Sequence, residues 1–232
     1  MTDPIIQLKN VHKTFQIANQ QVHALRGVNL SMRKGQLVAV TGRSGSGKST
    51  LLHVIGTLDT PSSGAVALNG RDVSNLTDKD ASNFRNRTVG FVFQMNNLLP
   101  EFSALENVIM PGLIAGLSRD ALRDRANALL KAVDLGHRLE HRPAELSGGE
   151  QQILAFALYL RHQPDLLLLD EHTSALDPKK SDAVMELTHQ FILQKHITCL
   201  MATHELDYAL KYGNRLIALR DGKIVFEANT AE

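Results

Sequence analysis

The amino-acid sequence predicts an α/β fold with a mostly parallel sheet, an antiparallel β subdomain at the N-terminus and an inserted α-helical subdomain. Segments with strand and helix patterns alternate outside the middle of the chain, which is the arrangement of an α/β core. The segment "DLLLLD" (165–170) is an unbroken apolar run, typical of a parallel strand that is buried on both faces. Between about residues 95 and 162, apolar residues recur instead at the spacing of helices.

The N-terminal part of the chain is predicted to consist mainly of strands. "IIQLKNV" and "VHALRGVNLSM" alternate between apolar and polar residues, as strands do. The short apolar strand "QLVAV" precedes a glycine-rich turn and a helix that begins at about Lys48. Further strands are predicted at "GAVALNG" and "VGFVFQ".

The rest of the chain is predicted to contain helices, then strands and helices again. The inserted subdomain has the helical segments "ALENVIMPGLIAGL", "RDALRDRANALLKAVDL" and "EQQILAFALYLRH". After "DLLLLD", the helix "KKSDAVMELTHQFILQKH" leads to the strand "ITCLMATH". The segment "NRLIALRDGKIVFE" is a predicted hairpin that turns at Asp221-Gly222, a favoured pair for such turns. We therefore expect one domain (1–232), with the core and β subdomain in 1–94 and 163–232 and the helical subdomain in 95–162.

Composition narrows the class of protein. The chain has 232 residues, of which 43% are hydrophobic, and a formal net charge of +1. This near-neutral charge argues against a nucleic-acid partner, because dedicated nucleic-acid binders usually carry a basic excess. The single cysteine, Cys199, excludes an internal disulfide and lies in an apolar run, so we expect it to be buried. No secretory signal and no run of about 18 apolar residues is visible, which indicates a cytoplasmic protein that could dock on a membrane protein.

The segment "GRSGSGKS" fits the phosphate-loop pattern G-x-x-x-x-G-K-S and lies between a predicted strand and a predicted helix, as the motif requires. Glycines allow the backbone N–H groups to wrap a phosphate, Lys48 reaches the β- and γ-phosphates, and the Ser49 hydroxyl ligates Mg²⁺. The residues expected to bind ATP here are Gly42, Arg43, Ser44, Gly45, Ser46, Gly47, Lys48, Ser49 and Thr50.

Two acidic residues end the apolar run "LLLLDE". Asp170 closes a predicted parallel strand, where ligands of open α/β sheets bind, so it can hold Mg²⁺ directly or through water. Glu171 then lies near the γ-phosphate and can polarise the attacking water.

A second glycine turn, "LSGGEQQ" (146–152), is also typical of an anion site at a helix N-terminus, although the chain already has a phosphate loop. The chain contains, besides this turn, the phosphate loop, "FVFQ", "LLLLDE", "SALD" and "MATH". The order and spacing of these motifs resemble those of ABC transporter ATPases over essentially the whole chain. This resemblance implies a P-loop NTPase core and a reaction that hydrolyses ATP with Mg²⁺ as cofactor.

Several residue roles follow from the resemblance. Gln94 would complete the Mg²⁺ shell with Ser49 and Asp170. His204 would hydrogen-bond the γ-phosphate and position the catalytic Glu171, with Lys48 as the third catalytic residue. Phe15 in "VHKTFQ" would stack on adenine, although packing in the core is the alternative for this ring.

The resemblance also gives a role to the second glycine turn. ATPase subunits of this family pair head to tail, so the signature residues would cap the γ-phosphate that the partner subunit holds. The residues expected to act in trans are Ser147, Gly148, Gly149 and Glu150, and Asp177 would lie at the same dimer seam. A homodimer is sufficient because one chain carries the complete set of motifs.

Two branches of the family remain open. Residues 5–150 resemble the lipoprotein-releasing and macrolide-exporter ATPases, whereas the segment after the signature departs from them. Ile153 and Leu158 stand where that branch usually has arginine, His172 replaces a proline, and "SALD" replaces "GNLD", as in ATPases of uptake-type permeases. We interpret His172 as a structural variant rather than a catalytic residue.

The favoured hypothesis is a homodimeric ATPase of a bacterial transporter at the cytoplasmic face of the inner membrane. Its permease would dock near Gln94–Met110, where Leu98, Leu99 and Phe102 could receive a coupling helix or, alternatively, pack internally. The alternatives are an uptake-type transporter and a nucleotide-gated scaffold without fast turnover. The intact Glu171 and His204 favour an enzyme over the scaffold.

Overall fold

A computed structural model describes residues 4–93, 97–160 and 164–230. The chain forms two compact units. The first contains residues 1–89, 165–171 and 196–232, and the second contains residues 90–164 and 172–195. The second unit thus includes a segment after residue 171 that the sequence analysis assigned to the core.

The strands in chain order are β1 (Ile6–Ile17), β2 (Gln20–Met32), β3 (Leu37–Thr41), β4 (Ser63–Leu68), β5 (Arg71–Asp72), β6 (Val89–Val92), β7 (Leu166–Asp170), β8 (Thr198–Ala202), β9 (Arg215–Arg220) and β10 (Lys223–Asn229). The helices are α1 (Lys48–Ile55), α2 (Asp78–Thr88), α3 (Ala104–Ile114), α4 (Arg119–Ala132), α5 (Gly148–Leu160), α6 (Pro178–Lys195) and α7 (Leu206–Tyr212), and a 3₁₀ turn spans Pro143–Glu145.

The first unit contains an antiparallel sheet in the order β2-β1-β4-β5. β1 pairs with β2 over most of its length, and Phe15 lies opposite Val22. The inward side chains of both strands, among them Ile6 and Leu25, are buried. The predicted antiparallel subdomain at the N-terminus is therefore confirmed.

The first unit also contains a mostly parallel sheet, in which the order is β10-β9-β3-β8-β7. β3 pairs in parallel with β8 and β9, β7 pairs in parallel with β8, and only β10 runs antiparallel to its neighbour. Every residue of β7 and β8, including Cys199, is buried, as their unbroken apolar runs predict. The carboxyl ends of β3, β7 and β8 meet at one edge, next to the phosphate loop, Glu171 and His204.

Two helices of the first unit, α2 and α7, were missed by the sequence analysis. In α2 only Ala81 is buried, so its sequence has no apolar stripe to reveal it. Its start does carry a signal, because the Thr77 hydroxyl accepts the Asp80 N–H as an N-cap. α7 spans only seven residues, too few for a helical period to stand out.

The second unit is mainly helical and has its own apolar core. α3 begins with a capping box formed by Ser103 and Glu106, and its buried residues pack with those of α4 and α5. The core residues include Leu105, Val108, Leu122, Leu130 and Leu154. The three helices predicted from about residue 104 onward are therefore confirmed over the described residues, with ends that differ by a few residues. No helix among the described residues is both long enough and apolar enough to cross a membrane.

Candidate nucleotide-binding site

The phosphate loop connects β3 to α1, and its glycines are required by the surrounding chain. Gly42 has φ 152° and Gly47, the N-cap of α1, has φ 106°, conformations that other residues rarely adopt. A Cβ atom at Gly42 would lie 2.3 Å from the carbonyl oxygen of Leu219, and one at Gly47 would lie 2.5 Å from that of Ala24. The loop therefore has its conformation and its close packing only with glycine at both positions.

Lys48 lies inside the loop. Its side chain is 5% exposed, and Nζ donates to the carbonyl oxygens of Gly42 at 2.8 Å and Arg43 at 3.3 Å. The same Nζ lies 3.3 Å from Oε1 of Glu171. A buried ammonium group is thus placed between the loop backbone and an acidic group, where it can contact bound phosphates.

Ser49 and Asp170 are brought together from distant parts of the sequence. The Ser49 hydroxyl donates to Oδ1 of Asp170 at 3.1 Å. Burial raises the pKa of Asp170, so a cation at this carboxylate would stabilise its charged form. Hydroxyl and carboxylate oxygens are ligands that Mg²⁺ prefers, and together with phosphate oxygens this pair fits a Mg²⁺ ion. Among the described residues no group of three or more His, Cys, Asp and Glu side chains could hold a metal alone.

Glu171 and His204 follow β7 and β8 and lie side by side. Glu171 has φ 46°, and its N–H donates to the carbonyl oxygen of Ala202 at 3.0 Å. This turn brings Oε2 within 3.3 Å of His204 Nδ1 while Oε1 contacts Lys48. The Glu171 side chain is 21% exposed, so its carboxylate can contact a water molecule while the two neighbours hold it.

Two further residues, Phe15 and Gln94, are expected at the nucleotide, and the structure describes only Phe15. Phe15 is half-buried on β1, and Lys13 Nζ lies 4.9 Å from the centre of its ring. Lys13 is itself held by an ion pair with Asp59, so the ring and the ammonium group form one fixed pair. Gln94 lies outside the described residues.

The signature turn begins α5 in the second unit. Ser147 N–H donates to Oε2 of Glu150 at 2.8 Å, and Glu150 N–H donates to the Ser147 hydroxyl at 3.3 Å, which is a capping box. Arg138 Nε donates to Oε1 of Glu150 at 2.9 Å. Chiefly because of the Ser147 backbone hydrogen bond, the pKa of Glu150 falls to about 2. Arg138 was not singled out from the sequence, because nothing local indicates a contact twelve residues away.

The described part of the chain leaves room for side chains at the signature glycines. A Cβ atom at Gly148 would lie 3.5 Å from Leu176 Cδ2, and one at Gly149 would lie 3.6 Å from Lys180 Cδ. Both are ordinary contacts. Asp177 lies in the same region of the second unit, where Oδ1 accepts the Lys180 N–H at 3.1 Å and Oδ2 lies 3.0 Å from Lys180 Nζ. The hydrogen bond with the Lys180 side chain lowers the pKa of Asp177.

His172, which replaces the usual proline, is 3% exposed. Burial lowers its pKa to about 4, so the ring is neutral at physiological pH. Its Nε2 atom has no hydrogen-bond partner among the described residues. These properties support the interpretation of His172 as a structural residue.

Comparisons with known proteins identify the family of this chain. The family model described as "ABC transporter" matches residues 25–174. The lipoprotein-releasing system ATP-binding protein LolD 2 of Caulobacter vibrioides is 46% identical over 224 residues, which cover 97% of this chain and 98% of that protein. LolD of Syntrophus aciditrophicus is 47% identical over 221 residues, which cover 95% and 99%. A solved dimeric structure of the ATP-binding cassette MJ0796, bound to ADP and Pi, is 37% identical with a TM-score of 0.90, covering 98% of this chain and 99% of that one. The motifs, the fold and these matches together show that this chain belongs to the ABC transporter family, as an ATPase subunit.

Proposed function

We propose that this chain is the Mg²⁺-dependent ATPase of a lipoprotein-releasing transporter. It would work as a head-to-tail homodimer at the cytoplasmic face of the inner membrane, with a membrane permease as its partner. The observation that carries the catalytic part of this proposal is the contact of one carboxylate, Glu171, with both Lys48 and His204, beside the Ser49–Asp170 pair. The named relatives, similar over nearly their whole length, support the transporter type.

Hydrolysis would begin with ATP phosphates entering the phosphate loop, where Lys48 exchanges its contact with Glu171 for phosphate oxygens. Glu171 then orients a water molecule and accepts its proton as the water oxygen bonds to the γ-phosphorus. The bond between the γ-phosphorus and the β,γ-bridging oxygen breaks, and ADP and phosphate form. Ser49 and Asp170, with Gln94, would hold Mg²⁺, which supplies charge neutralisation at the β- and γ-phosphates. His204 would keep the carboxylate in place and donate a hydrogen bond to the γ-phosphate.

The signature turn would complete the site of the partner subunit. Glycine in a helix interior is less favourable than alanine by about 0.5–1 kcal/mol, and Gly148 and Gly149 are the first two residues of α5. Among the described residues, no close contact requires glycine at either position. Ser147, Gly148 and Gly149 therefore offer a surface that a ligand from outside the chain can approach closely, with a helix N-terminus behind it. The dimeric MJ0796 cassette supports this arrangement.

The permease would dock near Gln94–Met110, of which the structure describes residues 97–110. Asn107, which is 1% exposed, holds this segment by accepting the Leu99 N–H at 2.8 Å and donating to the carbonyl oxygens of Leu99 and Phe102. Leu99 is 41% exposed, whereas Leu98 packs partly against the helical core. Leu99 and Phe102 are thus presented on a rigid segment, which suits a surface that receives a helix.

The enzyme hypothesis is tested by comparing ATP turnover of the parent chain with that of Glu171→Gln, each alone and with the permease. We expect the variant to bind nucleotide but to turn over at least about 100-fold more slowly, because the water loses its proton acceptor. Glu140→Gln, at an exposed residue of the second unit, is the control and should behave as the parent. If the parent hydrolyses ATP no faster than Glu171→Gln even with the permease, the scaffold alternative is correct.

The transporter type needs a separate experiment. The chain and its permease, reconstituted in vesicles that contain a lipoprotein, should release that lipoprotein from the vesicles only when ATP is added. ATP-driven uptake of a small solute without lipoprotein release would instead support the uptake-type alternative, to which the segment "SALD" is similar.

A further inference from the structure

We propose that the turn between β9 and β10 positions the phosphate loop, and that Gly222 sets the affinity of the chain for nucleotide although it does not contact the nucleotide. The inference rests on the proposed binding of ATP phosphates by this loop. The turn, the loop and β2 all belong to the first unit.

Backbone hydrogen bonds of Gly222 join the phosphate loop to the antiparallel sheet. Its N–H donates to the carbonyl oxygen of Ser46 at 3.0 Å, and its carbonyl oxygen accepts the N–H of Arg26, on β2, at 2.8 Å. Ser46 in turn donates its N–H to the carbonyl oxygen of Arg43 at 3.1 Å. The Gly222 N–H therefore holds the carbonyl group of Ser46, in the middle of the loop.

Steric contacts hold the same region. A Cβ atom at Gly222 would lie 2.7 Å from the carbonyl oxygen of Ala24 and 3.1 Å from Leu25 Cα. The Cβ position of Gly47 lies 2.5 Å from that same Ala24 oxygen. The turn and the last residue before α1 thus both pack on one peptide group of β2, and β2 cannot yield easily because Leu25 is fully buried.

The consequence is an effect on phosphate binding. A methyl group at Gly222 would have to displace either the turn or the Ala24–Leu25 segment. The first displacement moves the Ser46 carbonyl group, and the second moves the packing partner of Gly47. Both change the orientation of the N–H groups at the start of α1, and such groups lose much of their effect when they are misplaced by a fraction of an ångström.

The chain provides a matched control in the turn between β4 and β5. Asn69 and Gly70 have φ 49° and 74° there, and Asp221 and Gly222 have φ 51° and 75°. A Cβ atom at Gly70 would meet no atom of the described residues within 4 Å. Gly70→Ala and Gly222→Ala therefore introduce the same backbone strain, and only Gly222→Ala introduces the contact with β2.

The experiment measures the Kd of N-methylanthraniloyl-ADP with Mg²⁺, together with thermal unfolding, for the parent and both variants. We expect both variants to lose some thermal stability, Gly70→Ala to keep the parent's Kd within about twofold, and Gly222→Ala to weaken binding about tenfold or more. Equal Kd values for the two variants, with tight binding by the parent, would overturn this inference but not the proposed function. A parent that does not bind the probe would overturn the proposed function and this inference with it.

A measurement on the parent chain covers the case in which Gly222→Ala does not fold. If the turn and the loop act together, the probe nucleotide should slow hydrogen exchange of the Gly222 amide, which donates to Ser46, and leave that of the Gly70 amide unchanged. Equal responses of the two amides would contradict the coupling.

Discussion

The two glycine turns of this molecule, the phosphate loop in the first unit and the signature turn in the second, look alike in sequence but differ in why they contain glycine. Both combine serine and glycine at the start of a helix. In the phosphate loop, Gly42 and Gly47 have positive φ angles and leave no room for a Cβ atom. In the signature turn, Cβ atoms at Gly148 and Gly149 would make only ordinary contacts at 3.5 Å and 3.6 Å.

The phosphate loop is thus constrained by its own chain, whereas the described residues make no close contact at the signature glycines, as the proposed role in trans requires. Replacing glycine should therefore destabilise the fold in the phosphate loop but not in the signature turn, and should slow ATP hydrolysis in both cases. This contrast can be tested without knowing the transported substrate.

The largest expected effect is the difference in stability and nucleotide binding between Gly47→Ala and Gly149→Ala. Gly47→Ala should lower the free energy of unfolding by about 3 kcal/mol or more and abolish nucleotide binding, because of strain and the contact with Ala24. Gly149→Ala should leave that free energy unchanged or raise it by up to about 1 kcal/mol, yet slow turnover by about 100-fold. Urea unfolding, probe binding and ATP turnover measure the three quantities. Equal destabilisation by the two substitutions would show that the signature glycine is required by the fold.

Mixing two inactive variants tests whether the signature turn acts in trans. Lys48→Ala lacks a functional phosphate loop and Gly149→Ala lacks a functional signature turn. In a head-to-tail dimer of one chain of each kind, one of the two sites is intact, so an equal mixture should recover up to about a quarter of the parent turnover. A signature turn that acted within its own chain would give no recovery.

A smaller effect is expected at Arg138, whose side chain holds Glu150 in the capping box of the signature turn. Arg138→Gln removes a partly exposed charge-assisted hydrogen bond worth about 1 kcal/mol, so turnover should fall several-fold. Nucleotide binding by the isolated chain should not change, because the first unit is untouched. Arg123→Gln, on the exposed face of α4, is the control. A loss of nucleotide binding in Arg138→Gln would contradict the separation of the two regions.

The smallest effect concerns acid stability. The pKa of Glu150 lies at about 2 in the folded chain, below the ordinary value of 4.5. Protons therefore bind the unfolded chain more readily, and the stability that this carboxylate contributes is fully present above pH 4.5 and is lost as the pH falls toward 2. Between about pH 5 and pH 3, Glu150→Gln should lose less stability in urea unfolding than the parent. Glu140→Gln should lose as much as the parent, and an equal loss in both variants would show that Glu150 contributes nothing.

The fold could be predicted where the sequence has a strong period or a continuous apolar run. Buried runs identified β7 and β8, and the Asp221-Gly222 pair identified the hairpin turn, since both residues have positive φ angles. α2 was missed because it is polar on nearly all sides, so only its cap at Thr77 marked it. The grouping of residues 172–195 with the helical unit could not be predicted, because it depends on contacts between residues far apart in the sequence.

The sequence by itself determined the motifs, and with them the family, because phosphate chemistry requires particular residue types at short spacings. Lys48, Ser49, Asp170 and Glu171 could be named from local patterns, and His204 from the resemblance to ABC transporter ATPases. Only the tertiary structure decided what holds those residues. The contact of Glu171 with Lys48 and His204 joins three separate loops. The contact of Gly222 with the phosphate loop joins residues more than 170 positions apart, and no local pattern records it. The physical reason is that such contacts are made by backbone atoms. They require a glycine where space is short, but no pattern of side chains that could be recognised in the sequence.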